Sequence, residues 1–478
     1  MVMVLAFAVY APNLTNEFAM DDAYNVQSNE RLRDLSRVHE FFITAWGGHA
    51  GGYETRINSN YYRPLSELSF ALDYALYGLE PAGFHLTNNL LHAAASVLVL
   101  ILCVYLGVEQ RSSLFAAALF AVHPVHSEAV NLVTYRTELL TSLCALLGLL
   151  AYLGMSASWR RTWLVTLFYA IGLLCKETIV TLPAWLMILE FRRTRRVRDL
   201  LTFATPFALV LMGYFLIRLT LLAPSEVRFF NQEGTLLAGS VMAIYATYVR
   251  LLFIPWPLSP FYDWGILPPA ASWLELSVSV GVALYLCSLA LGVGCWRRRP
   301  IVAAGTWWWL IGLIPFFHII PLPVGAAERF LYMPSVGAAV IVGGLGPMVL
   351  ERVSSRAALL CCAVIIVALG SLTVLRTFDW KDDETLLMAT MNDFPDAVNA
   401  PMALGELYCA RGDLPSAHRA FTETDRRIPA FVPNIERWTD CLKTHGRIKE
   451  AHDVLATAKT RRPDPEWSAV ESKLRSSR

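Results

Sequence analysis

The sequence predicts an all-α polytopic membrane protein with about 11 membrane spans, one further re-entrant or interfacial helix and a short C-terminal helical solenoid. Of the 478 residues, 55% are hydrophobic and only 17% are charged, whereas an ordinary soluble domain has about 25% charged residues. Apolar runs separated by short arginine-rich loops fill residues 1–377, and residues 378–478 hold 15 basic and 17 acidic side chains. With a formal net charge of +1, this composition excludes a disordered chain and argues against nucleic-acid binding.

The first apolar run, MVMVLAFAVYA, ends at Pro12 after only 11 residues. A helix needs about 20 residues to span a bilayer. The run has no basic leader and no small-residue cleavage site, so it does not resemble a signal peptide. We expect either a short, tilted helix or a chain that continues on the N-terminal side of Met1.

The charges of the loops between the apolar runs predict on which side of the membrane each loop lies. Thirteen arginines lie on one set of loops, which the positive-inside rule places in the cytoplasm. The alternation fails only at 236–254, which is therefore expected to be re-entrant or interfacial. An odd number of crossings then puts loop 12–84 and the tail outside the cytoplasm. The apolar segments after the first run are 85–107, 112–123, 129–154, 162–175, 178–190, 200–222, 236–254, 274–295, 301–320, 330–350 and 357–377.

The tail contains a 34-residue repeat. The first copy fits the frame of a tetratricopeptide repeat (TPR), and adding 34 to each position recovers the small residue, the large apolar residue and the proline. Leu387 and Pro395 fit the end of an earlier, truncated copy. We predict two and a half repeats that bind or position a partner, with a generic helical hairpin as the alternative. The matching positions are Leu404, Gly405, Tyr408, Ala417, Phe421 and Pro429, then Trp438, Thr439, Leu442, Ala451, Leu455 and Pro463.

The best candidates for catalysis are Asp21 and Asp22, which follow the first helix at the outer interface. Two adjacent carboxylates cannot both face the same partner. One can therefore act as a base or metal ligand while a cation holds the other. The alternative is a solvated cap or turn.

Seven further polar side chains lie on the outer loop or at outer turns, where they can contact a substrate. Cations there can hold a phosphate, and an acid can take a proton from an acceptor, as a lipid-phosphate donor requires. The candidates are Arg63, His92, His126, Glu128, Lys176, Glu177 and Arg329.

Several of these side chains also have a structural explanation. His92 can hydrogen-bond between helices. Lys176 and Glu177 can neutralise each other, and Arg329 has the same arrangement with its neighbour Glu328. Charges in or near a membrane are costly unless they are paired.

The turn His123-Pro124-Val125-His126-Ser127-Glu128 offers two imidazoles and a carboxylate. Pro124 bends the backbone between them, and no established zinc spacing is present. A substrate-binding turn is therefore favoured over a metal site. In the tail, Cys409 and Cys441 could pair, but their spacing does not require it, and cysteine usage leaves the compartment open.

Together these motifs resemble the transmembrane and tetratricopeptide-repeat-containing protein O-mannosyltransferases and their bacterial relatives. The resemblance covers nearly the whole chain in order. It rests on Asp21-Asp22, Tyr62-Arg63-Pro64-Leu65, Gly83-Phe84-His85 with Asn88 and His92, HPVHSEAV at 123–130, Lys176-Glu177 and AERFLYMPS at 327–335.

The resemblance implies a GT-C membrane glycosyltransferase that uses a polyprenyl-phosphate sugar, with mannose as the expected sugar, and no metal cofactor. Asp21 would deprotonate a Ser or Thr hydroxyl of a protein, with Asp22 beside it, and in-line attack would invert the sugar carbon. His126, Glu128, Lys176 and Arg329 would line the donor phosphate and the acceptor. A bacterial inner membrane is the expected location, and the repeats would dock the acceptor protein.

Two other functions stay open. The same donor could serve a lipid or cell-envelope glycan acceptor, since the eukaryotic members carry many more repeats than this chain. The protein could also be a non-catalytic TPR scaffold. A transporter is disfavoured because the polar residues cluster on one face of the membrane and not at its midplane.

Overall fold

The computed structural model describes residues 1–46, 61–222, 236–320, 322, 324–350, 354–464 and 466–475. Part of the predicted outer loop, 47–60, lies outside the described residues, as does Arg352, one of the arginines assigned to the cytoplasm. All regular secondary structure in the described ranges is helical. The predicted all-α class is confirmed.

The chain divides into two compact units, residues 1–256 with 270–381, and residues 257–269 with 382–478. The helices of the first unit are α1 (Val2–Tyr10), α2 (Val38–Phe41), α3 (Pro64–Tyr77), α4 (Pro81–Tyr105), α5 (Gln110–Val122), α6 (Ser127–Asn131), α7 (Arg136–Gly154), α8 (Trp159–Cys175), α9 (Leu182–Thr194), α10 (Val197–Leu221), α11 (Leu237–Phe253), α12 (Leu276–Arg298), α13 (Pro300–Leu313), α14 (Ser335–Leu350) and α15 (Ser355–Asp379). Those of the second are α16 (Asp383–Asp393), α17 (Asn399–Ala410), α18 (Leu414–Arg427), α19 (Val432–Thr444), α20 (Ile448–Arg461) and α21 (Trp467–Arg475).

Several helices of the first unit are long and apolar enough to cross a membrane. Among the described residues, these are Pro81–Tyr105, Val133–Gly154, Val197–Leu221, Leu276–Arg298 and Arg356–Asp379. The pair Gln110–Val122 and Pro124–Asn131, bent by 48°, is a further candidate for a broken span. The chain is an integral membrane protein. The number of 11 spans, their directions and the re-entrant or interfacial placement of α11 stay predictions.

The start of the chain is held by a buried amide network. Helix α1 ends at Tyr10, and Pro12 stands in the first turn of the 3₁₀ segment that follows. The side-chain amide of Asn13 donates to Asn89 Oδ1 at 3.0 Å and to Asn131 Oδ1 at 3.1 Å. Three buried amides therefore fix where the chain leaves α1.

The loop after α1 is anchored at several points. Arg31 forms a buried ion pair of 2.5 Å with Glu67 of α3, and the Trp46 indole donates to Asn25 Oδ1 at 2.6 Å. Asp73 of α3 is buried and pairs with the fully buried Arg136 of α7. These contacts tie the first loop and α3 to the membrane unit.

The second unit contains the predicted repeat. Helices α17 and α18 form one pair, and α19 and α20 form the next. Leu404 and Trp438, Ala417 and Ala451, and Phe421 and Leu455 are buried at the equivalent positions of the two pairs. A Cβ atom on Gly405 would lie only 2.6 Å from the Phe421 ring, so the glycine of the motif permits close helix packing.

Two features of this unit were not evident from the repeat. Residues 257–269 belong to it, because Asp263 Oδ2 accepts backbone hydrogen bonds from Val398 at 2.8 Å and Asn399 at 2.6 Å, where α17 begins. Cys409 and Cys441 form a disulfide with Cα atoms 5.9 Å apart.

Candidate active site

The two adjacent aspartates have different surroundings. Asp22 is fully buried, and its carboxylate accepts hydrogen bonds from Val133 N at 3.1 Å, Thr134 N at 2.7 Å and Thr134 Oγ1 at 2.7 Å. Burial raises the pKa of Asp22 to about 7, although these hydrogen bonds favour its charged form. No cation holds Asp22 among the described residues. It instead fastens the first loop to the 3₁₀ turn Val133–Tyr135.

Asp21 faces the side of that turn where Tyr135 lies. It is half-buried, and its Oδ2 accepts a 2.9 Å hydrogen bond from the Tyr135 hydroxyl. Within the described part of the chain, no donor contacts Asp21 Oδ1. Met20, just before the pair, has a left-handed φ of +49°, which is uncommon for a non-glycine residue. The tight turn at Met20 immediately precedes two carboxylates with separate partners.

Arg329 stacks on the same tyrosine. Its guanidinium carbon lies 4.1 Å from the centre of the Tyr135 ring and 4.9 Å from that of Phe330. Its guanidinium forms an ion pair with the buried Glu128, and its backbone N–H donates to Glu128 Oε2 at 2.7 Å. The ion-pair partner of Arg329 is therefore Glu128, and not the neighbouring Glu328 of the structural alternative. Ala327 is extended (φ −156°, ψ 147°) before a 3₁₀ turn, and the partner comes from α6.

Lys176 and Glu177 do not neutralise each other either. Lys176 forms an ion pair with Glu138 in the first turn of α7. Glu177 accepts two hydrogen bonds from the Arg63 guanidinium, at 2.9 Å and 3.2 Å. Burial disfavours the charged form of Glu177, but Arg63 outweighs it and lowers the pKa of Glu177 to about 2.

These groups form one polar cluster, which we call the Asp21 cluster: Asp21, Arg63, Glu128, Tyr135, Glu138, Lys176, Glu177 and Arg329. Two of its cations contact the ring of Phe330: Lys176 Nζ lies 5.7 Å from the ring centre, and the guanidinium of Arg329 lies over the same ring. Lys176 and Glu177 are consecutive, which links the Arg63 pair to the rest. Each cation already has a carboxylate partner, so an anion would bind through the guanidinium and ammonium N–H groups that remain.

His92 and His126 have other surroundings. Both are fully buried. The nitrogens of His92 lie 2.8 Å from the Tyr332 hydroxyl and 3.0 Å from the Ala121 carbonyl. Those of His126 lie 2.9 Å from the Phe120 carbonyl and 2.8 Å from Ser335 Oγ. Because both nitrogens of each ring are engaged within the protein, the structure favours helix-to-helix hydrogen bonding over the predicted substrate contact.

Sequence reasoning missed two members of the Asp21 cluster, Tyr135 and Glu138. Glu138 could have been found, since a carboxylate at the edge of the apolar segment 129–154 needs a cation nearby. Tyr135 carried no comparable signal. Its position beside Asp21 depends on the turn that Asp22 holds.

No family model matches the chain. It is 28% identical over 433 residues to protein O-mannosyl-transferase TMTC3 of Mus musculus, covering 82% of this chain and 47% of that protein. It is also 28% identical to TMTC4 of Homo sapiens, covering 87% of this chain and 64% of that protein. Over a shorter alignment of 195 residues, it is 37% identical to protein O-mannosyl-transferase Tmtc2 of Drosophila melanogaster, covering 37% of this chain and 20% of that protein.

These matches confirm the resemblance to the TMTC protein O-mannosyl-transferases, and the chain spans about half to two thirds of the length of the first two. Among solved structures, ArnT from Cupriavidus metallidurans bound to undecaprenyl phosphate aligns with a TM-score of 0.46 and 16% identity, over 95% of this chain and 79% of that one.

Proposed function

We propose that this chain, a relative of the TMTC protein O-mannosyl-transferases, is a membrane glycosyltransferase of the GT-C type. It transfers a sugar, mannose, from a polyprenyl-phosphate donor to Ser or Thr hydroxyls of proteins at the outer face of a bacterial inner membrane. The observation that supports this best is Asp21, a half-buried carboxylate with one oxygen free of described donors, among cations from three separate turns.

In the proposed reaction Asp21 acts as the general base. It takes the proton of the acceptor hydroxyl while that oxygen attacks the anomeric carbon of the sugar. The bond between this carbon and the phosphate oxygen breaks on the opposite face, so the configuration inverts and polyprenyl phosphate leaves with the bonding electrons. General base catalysis of this kind contributes about 10²–10⁴-fold to a rate.

Arg63, Lys176 and Arg329 are proposed to hold the donor phosphate and stabilise the charge it gains on leaving. Their carboxylate partners would keep them in place before the donor arrives. Glu128 and Glu177 then act through these cations and not by touching the substrate. The chemistry described here requires no metal ion.

The second unit is proposed to dock the acceptor protein. A cavity of about 400 Å³ lies between its helix pairs, with His418, Trp438, Leu442 and Arg447 in the lining. An aromatic wall beside a cation and an imidazole suits a short peptide segment. The alternative acceptors, a lipid or an envelope glycan, would not need this cavity.

The test uses the purified full chain with labelled polyprenyl-phosphate mannose and a Ser/Thr-rich protein acceptor. Asp21→Asn keeps an oxygen for Tyr135 but removes the base, and transfer should fall at least about 100-fold. Asp34→Asn is the matched control, because Asp34 lies on the same loop, is exposed and only caps a turn through Ser36 N at 2.9 Å.

A wild-type rate for Asp21→Asn would overturn the mechanism. If the label appears in a lipid or glycan fraction and none appears in protein, the chain is still a glycosyltransferase, but its acceptor is a lipid or a glycan. No transfer by the wild-type chain to any acceptor would favour the scaffold.

A further inference from the structure

One end of the membrane unit carries a concentration of positive charge. The ranges 159–161, 190–199 and 296–299 hold ten arginines and only two carboxylates. They lie at the start of α8, at the end of α9 with the start of α10, and at the end of α12. Because α10 and α12 are candidate membrane spans, their ends are expected at the surface of the bilayer.

Side-chain contacts join these helix ends, although the segments are far apart in the sequence. Arg192 Nη1 donates to the Trp296 carbonyl at 2.6 Å, and the guanidinium carbon of Arg192 lies 4.6 Å from the centre of the Trp296 ring. Arg161 of α8 forms an ion pair of 3.1 Å with Glu190 of α9. The ends of α8, α9 and α12 therefore meet, and their arginines gather at one place.

Most of these arginines have no anionic partner in the protein. Glu190 pairs with Arg161 and Arg193, which leaves these two to hold α8 and α9 in place. Within the described ranges, the other arginines of the three segments form no ion pair with a carboxylate. Like charges gathered without carboxylates attract an anion from outside. The term arginine surface denotes the members that lie nearest to Trp296 along the chain: Arg192, the arginines of 195–198 and those of 297–299.

The aromatic side chains around the arginine surface favour a lipid headgroup over a soluble anion. Trp159, Trp163 and Phe191 are exposed, and tryptophan is enriched where a membrane protein meets the headgroup region. A guanidinium binds phosphate oxygens through two parallel N–H groups. Arginines and tryptophans at one level therefore fit a phosphate that is attached to a lipid.

We propose that the arginine surface binds the headgroup of an anionic phospholipid. The phosphate diester lies between the end of α9 and the end of α12, where Arg192 and Trp296 hold the two helices together. The acyl chains follow the side of α12 that exposes Leu286, Leu291 and Val293. The lipid then supplies the negative charge that the protein lacks at this point.

This binding site is distinct from the Asp21 cluster. Helix α8 begins at Trp159, beside the arginine surface, and ends at Cys175, directly before Lys176. Its 17 residues span about 25 Å at a rise of about 1.5 Å per residue. The proposal therefore goes beyond the proposed function and holds whether or not Asp21 is a base.

The experiment measures lipid binding by the full chain, purified in a neutral detergent and freed of its own lipids. Phosphatidylglycerol and phosphatidylcholine with the same acyl chains are titrated separately, and bound lipid is counted by native mass spectrometry. The wild-type chain should bind phosphatidylglycerol at least about tenfold more tightly than phosphatidylcholine, because several arginines contribute. The difference should shrink as salt is added, since salt screens exposed charges.

Two double variants with the same change in charge locate the site. Arg297→Gln/Arg298→Gln should weaken phosphatidylglycerol binding about tenfold. Arg111→Gln/Arg356→Gln is the matched control, because both residues are exposed helical arginines outside the arginine surface, and its affinity should stay at the wild-type value. Arg297→Lys/Arg298→Lys covers the case in which the glutamine pair does not fold or insert. It keeps the charge but loses the planar fork, so phosphatidylglycerol binding should still be weaker than in the wild-type chain.

Three results would overturn the proposal. The first is equal affinity of the wild-type chain for the two lipids, and the second is an equal loss of affinity in the two glutamine pairs. The third is displacement of phosphatidylglycerol by an equal concentration of inorganic phosphate or of a polyglutamate peptide, which would assign the surface to a free phosphate or to an acidic protein segment. None of these measurements depends on sugar transfer, so the proposed function can fail without changing them.

Discussion

The Tyr135 hydroxyl donates a 2.9 Å hydrogen bond to Asp21 Oδ2 while the ring of the same tyrosine lies 4.1 Å below the Arg329 guanidinium. One side chain therefore contacts both the proposed base and a proposed phosphate ligand. The hydroxyl orients the carboxylate, and the ring supports the cation. We infer that Tyr135 is a positioning residue that sets the distance between them.

Tyr135→Phe separates these two roles, because it removes the hydroxyl and keeps the ring. A hydrogen bond to a charged group is worth about 1.5–3 kcal/mol. If most of this hydrogen-bond free energy serves to orient Asp21 during attack, kcat should fall about tenfold or more, with KM for the donor unchanged. Steady-state kinetics against donor concentration provide the measurement.

Tyr285→Phe is the matched control for this experiment. The Tyr285 ring packs against Tyr245 and Phe317 in another part of the membrane unit, so loss of its hydroxyl should leave kcat and KM at wild-type values. A raised donor KM in Tyr135→Phe, with kcat unchanged, would show that the tyrosine serves the phosphate site and not the base.

Asp22 predicts an unusual dependence of stability on pH. Its pKa is about 7 in the folded chain, against about 3.9 when unfolded. At a pH between these two pKa values, Asp22 is protonated in the folded state and ionised in the unfolded state. Stability from Asp22 is therefore greatest below about pH 4 and is lost as the pH rises towards 7, by up to about 4 kcal/mol.

Asp22→Asn provides the reference that does not titrate. Its amide presents one acceptor oxygen and one donor, as the protonated carboxyl does, so the two chains should have similar stability at about pH 4. As the pH rises from 4.5 to 7.5, the wild-type chain should lose stability relative to the variant, measured as apparent unfolding midpoints in detergent. The same pH dependence for both chains over this range would mean that the three hydrogen bonds outweigh burial and keep Asp22 charged.

Sequence patterns predicted which turns carry the polar side chains, but not how those side chains pair. Hydropathy, arginine placement and the 34-residue register depend on local composition, and the helices and the repeat follow from them. The ion pairs depend on tertiary contacts. Arg329 and Glu128 are 201 residues apart, and Lys176 and Glu138 are 38 apart.

Backbone geometry explains why sequence neighbours were the wrong partners. Lys176 is extended, with φ −162° and ψ 140°, and Glu177 then starts a 3₁₀ turn. Consecutive side chains in such a transition project in different directions, as they do along a strand. Asp21 and Asp22 differ for a related reason, since only one of two adjacent carboxylates can face the 133–134 backbone. Predicting these partners requires the packing of α6 and α7 against the turns.

The Lys176–Glu138 pair allows binding and stability to be tested separately. Breaking a buried ion pair by removing one partner costs about 3–5 kcal/mol, whereas replacing both partners with apolar residues is often neutral. Lys176→Met should therefore be strongly destabilised, and Lys176→Met/Glu138→Met should recover most of the wild-type unfolding midpoint.

If Lys176 binds the donor phosphate, the recovered double variant should still show a donor KM raised about tenfold or more, which corresponds to about 1.4 kcal/mol of lost binding. The matched comparison is Arg161→Met/Glu190→Met, since Arg161 and Glu190 form a buried ion pair of 3.1 Å with neither residue in the Asp21 cluster. That variant should retain the wild-type KM. A wild-type KM in the Lys176 double variant would show that the Lys176–Glu138 pair has a structural role and does not bind the donor phosphate.

The disulfide in the tail also has a consequence for stability. A solenoid gains stability from the stacking of neighbouring repeats and usually needs at least three, whereas the described tail has two complete helix pairs, α17 with α18 and α19 with α20, flanked by α16 and α21. Closing a loop with the cysteines 32 residues apart restricts the unfolded chain and stabilises the fold by about 3–4 kcal/mol in the chain-entropy model. Cys409→Ser/Cys441→Ser should therefore be cleaved within 382–478 by trypsin much faster than the wild-type chain, with the membrane unit unaffected. Wild-type protein treated with a reductant should match the variant, and equal resistance of all three samples would show that helix packing alone holds the repeats together.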